Sequence, residues 1–358
     1  MNISRRTMMA ASGAVLASPV LAMPQEGAGT PHLCLIASAT PDGIARIAQL
    51  GISHVILGGV GFPWDADDLK ARVKVLKDGG LTVGDVGIPW SGKEGAFMRD
   101  IIYGRPGRDA GIEKVNNSIR AAGAAGIPVI EYNFYAHRLE EGYFDEPYPA
   151  RGGAVLESFR YDRVKDLPPL PEEGTHSLDE IWTNIAYFLK AVVPVAEGAN
   201  VRLALHPNDP PAPISRGSQQ IMSTLDGWKK LIGIVDSPAN CITFDCGVTR
   251  ELGEDPVSVA RYFGSRDRIG HVHYRNVLLR TPRQDYTEVY PDMGDDDMLA
   301  VMEELVRQKY SRLIYPEHAR GLTMDRDAKN GDYAAWAFHV GYARAMLQAA
   351  LELKGRRS

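Results

Sequence analysis

The chain has 358 residues, 44% of them hydrophobic and 24% charged, which is enough apolar material to bury a sizeable core in one large domain or two small ones. Its formal net charge of −5 argues against a sequence-independent nucleic-acid binder, because neutralising phosphates needs a clustered excess of Lys and Arg. The composition is that of a soluble globular protein.

Residues 1–22, MNISRRTMMAASGAVLASPVLA, are expected to be a targeting signal and not part of the fold. Arg5 and Arg6 form a charged start, residues 7–17 a weakly hydrophobic run, and Val20, Leu21 and Ala22 resemble a cleavage site. The Ser-Arg-Arg sequence before a mild hydrophobic run resembles a twin-arginine export signal, so the mature protein is expected in the periplasm, exported already folded. The run is too short and too polar to span a membrane, and no membrane contact is expected once it is removed. Its loss takes away two positive charges and shifts the net charge from −5 to −7. Residues 23–31 then read as a linker, 32–353 as one domain and 354–358 as a tail. Cys34, Cys241 and Cys246 are too few and too scattered to form a disulfide framework. Cys241 and Cys246 lie five apart in one predicted strand and so face opposite sides.

Along the chain, short apolar runs alternate with amphipathic segments. HLCLIA (32–37) precedes a helical pattern at 41–50, HVILGG (54–59) one at 65–79, LTVGDVG (81–87) and then IPVIEYNF (127–134) flank one at 109–125, and the next helix is predicted over 178–198. VRLALH (201–206) precedes a helix at 218–235, CITFDC (241–246) one at 256–264, IGHVHY (269–274) one at 295–309, and RLIYPE (312–317) one at 331–353. Each strand is short and apolar on both faces, as a strand buried in a parallel sheet must be. Eight strands followed by helices is the count of an α/β (β/α)₈ TIM barrel. A doubly wound sheet is the competitor, but no Gly-rich phosphate fingerprint follows the first strand. The connection over about 135–177 is long, and in a barrel it would emerge at the C-terminal mouth as a lid.

The strand ends carry the chemistry. LALHPNDPP puts His206 at the close of the fifth strand, Asp245 ends the sixth, His273 the seventh and Glu317 the eighth. Four successive strands thus deliver two imidazoles and two carboxylates to the rim where barrel active sites are built. Side-chain parity allows all four to point inward if Leu313 and Tyr315 line the barrel. A mixed nitrogen and oxygen donor set of this kind suits Mn²⁺, Co²⁺, Fe²⁺ or Zn²⁺, and the carboxylates balance the dication. The structural alternative makes His206 and His273 satisfied core histidines and Asp245 and Glu317 loop caps; four such residues at successive ends favour a site. His271, one layer deeper, reads as a hydrogen-bonded interior histidine. Cys246 competes as a ligand only if the strand ends one residue early or bulges.

From IWTNIAYFLKAVVPVAEGANVRLALHPNDPP through HVHYRN, GDDDM, YPEH and NGDYAAW, and upstream through GRPGRD and EYNF, the chain resembles mannonate dehydratases, members of the sugar-isomerase-like TIM barrels. The resemblance implies a divalent metal, usually manganese, held by His206, His273 and Glu317, and conversion of D-mannonate, a sugar acid, to 2-keto-3-deoxy-D-gluconate. The family usually carries Cys where this chain places Asp245, and Asp where it has Glu317. Both changes make the donor set harder, closer to that of related sugar isomerases and epimerases.

Dehydration requires removal of the C2 proton, stabilisation of the enediolate and protonation of the departing C3 hydroxyl. Arg275 offers a planar fork for a substrate carboxylate. By resemblance His318 and Tyr333 are the acid/base pair. Asn133, at the end of the fourth strand, and Arg151, from the long loop, are read from their positions as further contacts for substrate hydroxyl and carboxylate groups. The rival readings are a metal-dependent isomerase or epimerase working through an enediol, a barrel nuclease with several metals, which the charge of −7 disfavours, and a non-catalytic carbohydrate-binding barrel. A homo-oligomer is compatible with the sequence.

Overall fold

A computed structural model of the chain describes residues 26–27, 29–89, 92–146, 151–318, 322–326 and 333–357. The export signal expected over 1–22, with Arg5 and Arg6, lies outside the described residues, as do the start of the linker and Asn330, Gly331 and Asp332 of the NGDYAAW motif.

All eight predicted strands form: β1 (His32–Ser38), β2 (His54–Gly58), β3 (Thr82–Gly87), β4 (Val129–Tyr132), β5 (Arg202–Leu205), β6 (Asn240–Asp245), β7 (Ile269–His273) and β8 (Leu313–Tyr315). They close into a barrel in which each strand pairs in parallel with its neighbours in chain order and β8 returns to β1. Helices surround it, and the apolar residues between strands and helices make the main core. Seven of the described helices begin where the chain supplies a capping side chain, one of them Cys246–Glu251 behind Asp245. Thr40, Asp65, Ser177, Thr224, Asp255 and Asp297 accept from the first backbone N–H groups of helices Pro41–Gln49, Ala66–Asp78, Leu178–Gly198, Leu225–Ile234, Pro256–Gly264 and Met298–Arg307. The caps explain why two predicted helices start late: Thr224 and Asp297 terminate the preceding loops, not Ser218 or Asp295. The last helix, Tyr333–Arg357, runs on through most of the predicted tail.

Three α-helices among the described residues escaped the sequence pattern. Gly92–Ile102 contains two glycines, Cys246–Glu251 is a short continuation of β6, and Thr323–Arg326 is a single turn. The connection expected to be an irregular lid is instead partly sheet. Tyr143–Glu146 and Leu156–Arg160 join Asn276–Thr281 and Asp285–Val289, a hairpin inserted after β7, in a four-stranded antiparallel sheet. Phe159, Tyr286 and Val277 bury its inner face, and it reaches the barrel mouth through Tyr143 on an edge strand and Glu288 on an inner one.

The barrel interior is layered. Val129, Ala204 and Cys241 form an apolar floor. Above it β6 and β7 slip register at a bulge, with Ile242 opposite Ile269 but Thr243 opposite His271, so Gly270 is the extra residue. A Cβ on Gly270 would stand 2.6 Å from Cys241 Sγ and 2.9 Å from Ala204 Cβ, so only glycine fits. The bulge breaks the two-residue alternation expected for 269, 271 and 273, and from it upward His271 and His273 share the inward face.

Candidate metal centre

His206 follows β5 directly, Asp245 ends β6, His273 ends β7 and Glu317 lies two residues beyond β8. The barrel brings one ligand atom from each of these four buried residues within 4.8 Å of all the others. His206 Nε2 is 3.1 Å from His273 Nδ1. Asp245 Oδ2 lies 3.7 Å from His206 Nε2 and 3.8 Å from His273 Nδ1, and Glu317 Oε1 is 3.0 Å from His273 Nδ1.

The arrangement around each ring favours lone pairs facing inward. His206 Nδ1 donates to the Pro207 carbonyl at 2.7 Å, which leaves Nε2 as the acceptor. His273 turns Nε2 toward Glu131 Oε2 at 3.1 Å, leaving Nδ1 to the cluster. Asp245 divides its carboxylate: Oδ1 caps helix Cys246–Glu251 by accepting from Val248 N at 2.7 Å, and Oδ2 faces the imidazoles. Glu317 Oε1 is buried without a hydrogen bond of its own, although His273 Nδ1 and Arg275 Nε stand close.

The electrostatics agree. Burial disfavours a charged imidazole at His273, but Glu317 and Glu131 outweigh it and raise its pKa well above the ordinary value. Burial likewise works against the Asp245 carboxylate, and Arg275 with His273 still holds its pKa far below normal. Glu317 is lowered in the same way, burial being overcome by His273 and His318. The cluster therefore attracts positive charge strongly. A dication among these four donors would displace the proton from His273 and answer the same carboxylates, so donor type, orientation and charge all fit a metal.

β6 does end at Asp245, the condition under which Cys246 could have competed. Its thiol instead turns into the apolar core, where burial pushes its pKa well up. Arg275 is fully buried and is not an open fork. Nε meets Asp245 Oδ2 at 3.0 Å and Glu317 Oε1 at 3.3 Å, Nη1 meets Glu251 Oε1 at 2.8 Å, and Nη2 meets Asp209 Oδ2 at 3.3 Å. A Cβ on Gly247 would lie 2.7 Å from its Nη1, so this glycine makes room for the guanidinium.

His318 takes a left-handed backbone, φ 50°, which turns its ring back to the mouth. Its Nδ1 is 2.6 Å from Glu288 Oε2 of the inserted hairpin and its Nε2 3.4 Å from Glu317 Oε1. Asn133 is buried just past β4. Two residues named from the sequence are placed elsewhere. Tyr333 donates its hydroxyl to the Arg46 carbonyl at 3.1 Å, because the last helix begins against the first. Arg151 is half exposed, paired through both Nη atoms with Asp292 and packed over Tyr290 and Phe338.

Sequence reasoning missed Asp85, Glu131, Asp209, Glu251 and Glu288. The first two were visible as lone carboxylates inside apolar strands; the others lie in loops or outside the barrel strands and meet the site only through tertiary packing. A cavity of about 400 Å³ opens beside the donors, lined by Asp85, Glu94, Glu131, His273, Tyr315 and Glu317 among others.

Comparison with known proteins fits this geometry. The profile of the D-mannonate dehydratase (UxuA) family matches residues 156–354, more than half of the chain. The chain belongs to the mannonate dehydratase family. A mannonate dehydratase of Thermotoga petrophila is 32% identical over 295 residues, covering 73% of this chain and 79% of that protein. One from Streptococcus suis is 28% identical over 324 residues, covering 83% and 86%. The crystal structure of mannonate dehydratase from Streptococcus suis serotype 2 superposes with a TM-score of 0.79 at 26% identity, covering 91% of this chain and 96% of that one. An L-ribulose 3-epimerase structure, at 14% identity and TM-score 0.57 over 92% and 98% of the chains, shares the fold.

Proposed function

We propose that the chain is a metal-dependent hydro-lyase that removes water from D-mannonate to give 2-keto-3-deoxy-D-gluconate, with Mn²⁺ as its metal. The observation that carries this reading is the convergence of His206, Asp245, His273 and Glu317 beside the mouth cavity in a member of the mannonate dehydratase family. The set of two imidazoles and two carboxylates is harder than one with a thiolate, which favours manganese.

When bound by these four residues, the cation supplies counter-charge for the substrate carboxylate and Lewis-acid stabilisation of the enediolate oxygens. No Lys or Arg is among the described residues lining the cavity. Arg275 keeps Asp245 ionised and stands 3.3 Å behind Glu317 Oε1. His318 stands beside the donors without belonging to them, and its Nε2 is the atom that holds and moves a proton between C2 and the departing C3 hydroxyl. Glu288 fixes the other ring nitrogen. The hairpin carrying Glu288 and the aromatic side chains of the inserted sheet limit water on that side.

The test is direct. The purified protein, stripped and reloaded with Mn²⁺, is incubated with D-mannonate and assayed for a 2-keto-3-deoxy acid. Product with D-mannonate, lost in the His206→Ala/His273→Ala variant, supports the reading. Turnover of a ketose with no product from any aldonate would replace it with an isomerase or epimerase.

A further inference from the structure

Beneath the four donors lies a second polar layer that the proposed chemistry does not use. Glu131 projects from β4, Asp85 from β3, Thr243 from β6 and His271 from β7. Asp85 and His271 are each 1% exposed. Glu131 Oε2 lies 3.1 Å from His273 Nε2, accepts from Thr243 Oγ1 at 3.0 Å and stands 3.2 Å from His271 Nδ1. His271 Nδ1 is also 2.8 Å from Asp85 Oδ2, and the Glu131 backbone N–H donates to Asp85 Oδ1 at 3.3 Å. On its far side His271 Nε2 meets Cys34 Sγ at 3.9 Å.

A partly buried carboxylate with three neighbours aimed at one of its oxygens is held in place, and the ring it meets is a proposed metal ligand. We propose that Glu131 is a positioning residue for the metal centre: it keeps the proton of His273 on Nε2 and so presents the Nδ1 lone pair to the site. A ring free to carry its proton on Nδ1 would offer the cation an N–H in place of a lone pair. His271, Asp85 and Thr243 fix Glu131 in turn, an outer shell built from four different strands. The inference rests on the reading of His206, Asp245, His273 and Glu317 as a metal site.

The experiment titrates Co²⁺ and Mn²⁺ into the chelator-stripped full chain and follows stoichiometry, affinity and the visible Co²⁺ spectrum, with circular dichroism as a check on folding. Glu131→Gln, which keeps the volume, is expected to weaken metal binding by roughly 10–100-fold and to alter the Co²⁺ bands. Thr243→Val removes only the steering hydroxyl and is expected to lower affinity by a smaller factor, which keeps the test open if Glu131→Gln folds poorly. Wild-type affinity and spectrum in both variants, whatever their thermal stability, would overturn the positioning role and leave the metal reading intact. Uptake of two ions by wild type, with one lost in Glu131→Gln and the other bound as before, would make Glu131 a ligand of a second cation and overturn it as well. A wild-type chain that binds no metal overturns the site and this inference together.

Discussion

Replacing Arg275 with Met removes the one guanidinium that four buried carboxylates share. Asp209, Asp245, Glu251 and Glu317 each lie within 3.3 Å of it, and none can move out to solvent because Arg275 and its partners sit inside the barrel rim. Met fills much of the space but supplies no donor, so Asp245 and Glu317 keep His273 and Asp209 keeps Arg138, but part of their buried charge is left uncompensated. Breaking a buried pair from one side costs about 3–5 kcal/mol. At about 2 °C per kcal/mol, the lower end of the range for a chain this large, Tm should fall by roughly 6–10 °C. The sign of the pH dependence follows from Asp245, whose carboxyl Arg275 helps to hold below the usual range against the effect of burial. A depressed carboxylate contributes stability above its unfolded pKa of about 3.9 and loses it as pH falls through the folded value. The gap between wild type and Arg275→Met is therefore full at pH 7 and narrows below about pH 4. Thermal unfolding of both proteins in chelator, across that range, measures it. An unchanged Tm at pH 7, or a gap that widens on acidification, refutes the argument.

Three further outcomes are expected. Burial, with the charge of His32 stacked 4.0 Å away, holds the His54 pKa down to about 4, so stability should be complete above pH 6.5 and decline as pH falls toward 4; His54→Phe keeps the stack and should flatten urea midpoints over that window. Gly270→Ala forces a Cβ against Cys241 Sγ and should cost about 1–3 kcal/mol in chemical denaturation, partly recovered by adding Cys241→Ala; a neutral single variant would mean the bulge tolerates a side chain. We propose that residues 1–22 direct export by the twin-arginine route, so Arg5→Lys/Arg6→Lys should retain the protein in the cytoplasm by cell fractionation, and an unchanged distribution counts against that signal.

The barrel strands were legible because each is a short run apolar on both faces, a pattern that few environments other than a covered parallel sheet allow. The four donors were legible for a related reason: an imidazole or carboxylate at the end of such a run has no packing role to fill, and four in succession share one rim. Pattern did not reach Asn276–Thr281 and Asp285–Val289, whose hairpin sits where a simple barrel expects a loop and a helix. Glu131 and Asp85 stood in plain view inside IPVIEYNF and LTVGDVG, yet their partners come from other strands, so nothing local marked them as a pair. Tyr333 was named by resemblance and Arg151 from its place in the long loop, but contacts with Arg46 and Asp292 occupy their polar atoms.

By itself the sequence determined the strand count and which rim carries His206, Asp245, His273 and Glu317, since these follow from residue type and spacing along one segment at a time. Only the tertiary structure decided that Arg275 is locked among carboxylates, that Cys246 faces the core, and that Glu131 stands behind His273. Those outcomes depend on distances between segments far apart in the chain. They are set by barrel closure, the bulge at Gly270 and the inserted sheet, and local propensity carries no record of them.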